Sequence, residues 1–288
     1  MKDFEGKTAV ITGAASGMGR AFADRFAKAG MNIVLADIEK EALDRAVTEM
    51  RQQEFRVHGV MTNTMSRESV GRLAEHATAE FGNIHMLFNN AGVAGGVAGL
   101  PIWEAPQADW DWIMGVNFWG VLYGIQAFLP LMLAHGETGH VVSTASEAGL
   151  LPNFGAYGVS KHGVLSLSES LWADLKARDA NISASVLCPG FVNTNIDKAE
   201  RNRPPELGGT EGGGAARMSS RFLARGLPPS AVAEVVYDSV VDDRFYILPH
   251  PTWDGMVRDR VEHILARGAP MPFNLLELTK RMDAGEQM

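Results

Sequence analysis

Short apolar runs alternate with helix-patterned segments from residue 8 to residue 187, and this alternation limits the possible folds more than any other feature. Residues 8–11, 32–36, 56–61 and 84–88 read as strands. Between them, 17–29, 40–53 and 67–81 carry apolar side chains at helical spacing, as in Ala42, Leu43, Ala46, Val47 and Met50. The pattern continues with a helix over 109–133, a strand over 140–143, a helix over 157–177 and a strand over 182–187. Strands separated by helices of these lengths imply parallel βαβ units with right-handed crossovers. The chain is therefore expected to form a doubly wound α/β parallel sheet of the Rossmann type, with helices on both faces.

No linker or repeat divides the 288 residues, so one domain over 1–288 is expected. The composition changes over 193–227, which holds Pro204, Pro205, Gly208 and the run Gly212-Gly213-Gly214. A segment of this kind reads as partly helical, partly mobile and functional. A helix over 231–241, a strand over 244–248 and a helix over 254–266 follow, so 250–288 forms a C-terminal extension.

The 46% hydrophobic content excludes a disordered chain, and the net charge of −8 argues against a nucleic-acid partner. The single cysteine, Cys188, excludes an internal disulfide and a multi-cysteine zinc site, and reads as a buried structural thiol. Residues 1–7 lack the apolar core of a signal peptide. Residues 112–136 carry no Asp, Glu, Lys or Arg, but Asn117, Gln126, Pro130 and several glycines interrupt the run. They are expected to form a helix buried on most sides, not a membrane span, in a cytoplasmic protein.

Thr12-Gly13-Ala14-Ala15-Ser16-Gly17-Met18-Gly19 joins the first strand to the first helix. Glycines let the backbone approach a pyrophosphate, and a helix N-terminus offers free N–H groups and a positive dipole end. Asp37 follows 24 residues after Gly13 and can accept hydrogen bonds from adenosine ribose hydroxyls while repelling a 2′-phosphate. Asp37 also suits a helix cap. With Ile38 next and Ser16 in the turn, neither spot offers a cation for that phosphate, which favours NAD over NADP.

Tyr157 and Lys161 stand four residues apart, so phenol and ammonium share one helix face. A nearby ammonium favours the phenolate, which would let Tyr157 exchange a proton with an alcohol or ketone. Together these motifs resemble the short-chain dehydrogenase/reductase family in its short-subunit form, over residues 5–195 and more weakly to about 250. Thr12 to Gly19 matches the family's cofactor turn, and Asn89-Asn90-Ala91-Gly92 its signature after the fourth strand. Pro189-Gly190-Phe191-Val192-Asn193-Thr194 matches the segment that cradles the nicotinamide.

The resemblance implies that Ser146 orients the substrate oxygen and Tyr157 transfers the proton. It implies that Lys161 lowers the Tyr157 pKa and holds the nicotinamide ribose, while Asn117 connects Lys161 to solvent through a water. No metal is required. The cofactor contacts implied are Gly13, Ser16, Gly17, Met18, Gly19, Asp37, Asn63, Thr64, Asn90, Ala91, Gly92, Tyr157, Lys161, Pro189, Gly190, Val192 and Thr194.

Three features depart from the family pattern. Ser146 stands only 11 residues before Tyr157, with Ser143 as the alternative serine. Asn63 occupies the place of an adenine-contacting Asp, and the C-terminal segment is long. His162 points about 100° away from Lys161 on a helix and reads as packed or exposed. Arg201 and Arg203 read as a solvated helix face or a site for an acidic substrate group. Trp103 is the tryptophan expected nearest the active-site side.

Residues 93–97, 148–154, Phe191 and 195–227 are expected to wall an apolar substrate pocket, with Ser146, Phe154, Tyr157 and Phe191 against the substrate. The runs 108–117 and 245–251 also resemble bacterial dehydrogenases that oxidise benzylic alcohols in lignin-derived aryl ethers. The expected activity is hydride transfer between a hydrophobic or aryl secondary alcohol, or its ketone, and NAD. An NADP-dependent carbonyl reductase and a non-catalytic dinucleotide sensor are the alternatives. The family further implies a homo-oligomer, dimer or tetramer, built through the two long helices.

Overall fold

The computed structural model describes residues 1–95, 100–208, 214–271, 274 and 279–280. Seven strands form one parallel sheet: β1 (Thr8–Thr12), β2 (Asn32–Asp37), β3 (Val57–Met61), β4 (Met86–Asn89), β5 (Gly139–Thr144), β6 (Ile182–Leu187) and β7 (Tyr246–Ile247). Their order is β3-β2-β1-β4-β5-β6-β7, so the direction of winding reverses between β1 and β4. In sheets of this kind ligands bind outside the strand C-termini at that reversal.

Nearly every residue of the central strands is buried, because both sheet faces are covered. Ala9, Ile11, Ile33, Leu35 and Phe88 pack on one face against α1 (Gly17–Ala27), α2 (Lys40–Gln52) and, further on, α8 (Pro229–Val241). Val10, Val34, Leu87, Val141 and Val186 pack on the other against α3 (Arg67–Phe81), α5 (Gly120–His135) and α6 (Gly155–Ala177). The two-residue alternation of a strand thus sorts the core into two layers.

The helix expected over 109–133 spans Gln107–His135 in three parts. They are α4 (Gln107–Met114), a π-helical turn (Gly115–Trp119) and α5. It is the one helix among the described residues long and apolar enough to cross a membrane. It is not buried on most sides, contrary to the sequence reading. Val121, Ile125, Phe128 and Met132 face the sheet, whereas Trp119, Leu131 and Leu133 are exposed. Uniform apolarity had concealed that the helix has an outer face.

The last strand is shorter than its sequence suggests. The segment after residue 193 holds short 3₁₀ turns at Ile196–Asn202 and Pro205–Leu207 and the helix α7 (Gly214–Arg225). Helix α9 (Asp254–Leu265) opens the C-terminal extension. The parts of the expected pocket wall at 96–97 and 209–213, and the end of the extension at 281–288, lie outside the described residues.

Candidate active site

The turn after β1 is built for close approach. Gly13 and Gly17 have φ of +64° and +55°, in the left-handed region that L side chains avoid. A Cβ on Gly19 would stand 2.2 Å from the Gly13 carbonyl oxygen. Ser16 precedes α1 and its side chain makes no capping hydrogen bond, so it does not cover the first-turn N–H groups. Gly13, Ser16, Gly17 and Met18 line a cavity of about 510 Å³. This arrangement fits a pyrophosphate.

Asp37 holds the turn in place. Its carboxylate accepts hydrogen bonds from the Ala15 N–H (2.9 Å) and the Glu39 N–H (3.0 Å). Burial raises its pKa, and these two N–H groups oppose the rise. Asn90 fastens the same turn to β4, donating to the carbonyls of Thr12 (3.0 Å) and Gly13 (3.4 Å). The Thr12 hydroxyl accepts from the backbone N–H groups of Asn90 and Ala91. Asn63 spends its amide oxygen on the Met65 N–H at 3.0 Å. Asp37, Asn63, Thr64, Asn90, Ala91 and Gly92 all line the cavity.

Ser146, Tyr157 and Lys161 line the other half of the cavity. Ser146 accepts from the Ala148 N–H (3.1 Å) and donates to the Pro189 carbonyl (3.3 Å). Ser143 is absent from the cavity lining; it lies within β5, where its hydroxyl faces Asn89. Lys161 is 2% exposed, donates to the Thr144 carbonyl at 2.8 Å, and has its Nζ 5.8 Å from the Tyr157 ring centroid. Burial lowers its pKa to about 8.

The expectation that Lys161 lowers the Tyr157 pKa needs correction for the protein alone. Burial raises it, and the opposing influence is a hydrogen bond with Ser146. Removing water from around the phenol disfavours the phenolate more than the neighbouring groups stabilise it. Asn117 is fully buried in the π-helical turn. Its amide accepts from the Val93 N–H (2.8 Å) and donates to the Val93 carbonyl (3.0 Å) and Ser160 Oγ (3.1 Å). These bonds fix the chain after Gly92 beside Lys161.

The Pro189–Thr194 segment is pinned by a residue the sequence reading assigned no role. The Gly190 N–H donates to His250 Nδ1 at 3.0 Å, and His250 Nε2 lies 2.9 Å from the Phe191 carbonyl. With Nδ1 accepting, Nε2 must carry the proton and donate. Burial lowers the His250 pKa, which suits this neutral ring. Phe191 stacks on Phe222 at 4.9 Å and meets Trp253 edge-on at 5.6 Å. Phe154, Phe191, Leu223 and Trp253 give the cavity an aromatic, apolar end. Pro189, Gly190, Val192 and Thr194 line it as well.

The expectations for Arg203, Arg201 and Trp103 change, whereas those for His162 and Cys188 agree with the structure. Arg203 is not solvated: it pairs with Asp109 at 2.7 Å, both side chains under 5% exposed, and lies over the Trp112 ring. Arg201 is held by Glu39 at the mouth of the cavity. Neither is free for an acidic substrate group. Trp103 is 80% exposed and does not line the cavity. His162 is exposed and bonds the Gly149 carbonyl through Nδ1. Cys188 is buried, and burial pushes its thiol up to about 12, as suits a structural thiol.

The model of the short chain dehydrogenase family matches residues 7–205. A solved short-chain dehydrogenase/reductase from Burkholderia phymatum, in complex with NAD, is 44% identical. It superposes with a TM-score of 0.90 over 95% of this chain and all of that one. A C alpha-dehydrogenase from Sphingobium sp. is 34% identical over 99% of this chain and 93% of its own length. A CLA biosynthesis dehydrogenase/reductase from Lactiplantibacillus plantarum is 33% identical over 94% of this chain and 97% of its own.

Proposed function

The chain belongs to the short-chain dehydrogenase family, and from that premise we propose that it is an NAD-dependent enzyme oxidising apolar or aryl secondary alcohols. The convergence of Ser146, Tyr157 and Lys161 on one cavity that runs from Asp37 to an aromatic end carries this reading. The chemistry that bound NAD supplies is acceptance of a hydride at the nicotinamide ring. The protein's own residues handle the oxygen and its proton.

Ser146 presents its hydroxyl to the substrate oxygen from the start of a 3₁₀ turn (Glu147–Gly149) and so orients the carbinol. Tyr157 would remove the hydroxyl proton as the phenolate, a form that the positive nicotinamide of bound NAD would favour against the burial that raises its pKa. Lys161, with its pKa lowered to about 8, is a ready proton exchanger beside it. Phe154 and Phe191 exclude water from the reacting carbon. Gly13, Ser16, Gly17, Met18 and Gly19 hold the pyrophosphate, and Pro189, Gly190, Val192 and Thr194 hold the nicotinamide. Run in reverse, the same residues would reduce a ketone.

NAD is favoured over NADP because Asp37 and Glu39 both line the adenosine end. A 2′-phosphate there would meet two carboxylates, and Glu39 already holds the nearby Arg201. The decisive assay offers a panel of aryl secondary alcohols with NAD or NADP and follows absorbance of the reduced nicotinamide. Turnover with NAD and little with NADP is expected. A preference for NADP would overturn the cofactor assignment. No turnover with any alcohol or ketone would favour a sensor.

The enzyme is read as cytoplasmic and as a homo-oligomer, a dimer or a homotetramer. Trp119 and Leu131 on the Gln107–His135 helix, with Val159 and Trp172 on α6, give the two long helices exposed apolar side chains suited to association. Light scattering tests this, and a monomer would refute it.

A further inference from the structure

Trp253 enters the site from beyond the sheet, at the end of the short 3₁₀ turn Pro251–Trp253 that precedes α9. It lines the cavity, yet it is only 3% exposed, because its ring is held from several sides. A Cβ on Gly190 would stand 3.1 Å from Trp253 Cε2, so the indole lies directly against that glycine. The same ring meets Phe191 edge-on and packs in one cluster with Leu151, Phe154 and Phe222. Met256 and Val257 of α9 back this cluster.

These contacts put the indole at the catalytic end of the cavity and not at the Asp37 end. Ser146 donates to the carbonyl of Pro189, the residue before Gly190. Phe154 crowds Gly158, the residue after Tyr157: a Cβ there would stand 2.8 Å from Phe154 Cβ. Trp253 therefore packs against residues that adjoin both the serine and the tyrosine. A ring so closely surrounded yields little when pressed.

We propose that Trp253 is a specificity-determining residue, the fixed end wall of the substrate pocket, which contacts an aromatic ring borne by the carbinol carbon. The proposal rests on the alcohol dehydrogenase reading and names the substrate class within it: secondary alcohols with a single aromatic ring on one arm. An aromatic ring gains from edge-to-face or offset contact with an indole beyond the area it buries, and a saturated ring of similar size does not. A second fused ring would require the indole to move, and Leu151, Gly190, Phe191 and Phe222 leave it little room.

The test measures kcat/KM with NAD for methyl phenyl carbinol, methyl cyclohexyl carbinol and methyl 2-naphthyl carbinol. These alcohols differ in intrinsic reactivity, so the readout is the change in each ratio on substitution. Trp253→Leu should lower the phenyl-to-cyclohexyl ratio about fivefold, the worth of one aromatic contact. Trp253→Phe keeps an aromatic ring in the cluster and should retain that ratio. Both variants shorten the side chain and should raise the naphthyl-to-phenyl ratio about tenfold. A merely structural tryptophan would lower Tm in both variants and leave the ratios as they are. A constant naphthyl-to-phenyl ratio in both, or a constant phenyl-to-cyclohexyl ratio in Trp253→Leu, overturns the assignment and leaves the dehydrogenase reading intact. Calorimetric titration of the three alcohols into the NAD complexes reads the same selectivity without turnover. If no alcohol is oxidised, affinity ratios that shift in these directions support Trp253 and fault the dehydrogenase reading. Constant affinity ratios, or no binding, overturn the assignment.

Discussion

Arg201 and Glu39, 162 residues apart in the chain, are joined across the mouth of the cavity by a two-pronged ion pair. Asn202 adds a hydrogen bond to the same carboxylate at 2.8 Å. The segment after the nicotinamide loop is thereby tied to the loop that follows Asp37. Both prongs reach solvent, so the tie is worth on the order of 1 kcal/mol. Arg201→Ala should speed release of reduced cofactor about fivefold, measured by stopped-flow fluorescence, and high salt should narrow the difference. Equal release rates would show that the tie does not retain the cofactor.

Replacing Tyr157 by Phe removes the proton-transfer group and keeps the ring. The loss in kcat should be about 10²–10⁴-fold, the usual worth of a positioned acid or base. Dissociation constants for NAD, measured by calorimetry, should change little. An enzyme that keeps its kcat would exclude Tyr157 as the proton carrier.

Asp37→Asn removes the charge and keeps one acceptor oxygen, so either the Ala15 or the Glu39 N–H loses its partner. The ratio of kcat/KM for NAD over NADP should fall by roughly tenfold or more, since hydrogen bonds to a charged group are worth about 1.5–3 kcal/mol. Paired steady-state assays measure the ratio. If it stayed constant, discrimination would have to be sought in Glu39.

His250→Ala leaves the Gly190 N–H without a partner, at about 1–3 kcal/mol, and leaves the Phe191 carbonyl only the Leu227 N–H. Tm should fall and KM for NAD should rise more than KM for the alcohol, because the bonds lost hold the nicotinamide segment. A fall in Tm with no change in the cofactor KM would make His250 purely structural.

Stability should also depend on pH through buried groups. The folded-state pKa of Glu147 is raised from 4.5 to about 8, so between those values the native state holds a proton that the unfolded chain has lost. Its contribution therefore decays as pH rises through that window. His140 acts in the opposite sense: its pKa is lowered from 6.5 to about 3, and it favours folding increasingly as pH rises to 6.5. Between about pH 6.5 and 8 Glu147 acts without that opposition. Denaturant titrations there should show stability falling with pH in the wild type and a flatter profile in Glu147→Gln. A pH-independent wild type would mean the carboxyl is not held protonated.

The sheet was legible because its information is local. Strand and helix periods, and glycines such as Gly13 and Gly82 at element ends, are all carried by neighbouring residues. The pairing of Tyr157 with Lys161 was legible for the same reason, since one helical turn separates them. What escaped depends on distant partners. Arg203 looked like a surface charge until Asp109, 94 residues earlier, was found against it. His250 and Trp253 reach the site from beyond β7. The raised pKa of Tyr157 reflects the water excluded around it, a property of the folded cavity that a four-residue spacing does not encode.

The π-helical turn at Gly115–Trp119 resolves an oddity of spacing. Gly115, Gly120 and Gly124 each lie where a Cβ would crowd a neighbour: Met65 Cε at 2.6 Å, Thr64 Cβ at 3.0 Å and Asn89 Oδ1 at 2.1 Å. In an unbroken α-helix, at about 100° per residue, the first two glycines would point about 140° apart. The wider turn takes up the extra residue and brings all three onto one side. The turn therefore works as a phase corrector. Deleting one residue from it would restore ordinary hydrogen bonding locally and rotate either Asn117 or the whole of α5 out of register. This stretch can consequently change its side chains far more readily than its length.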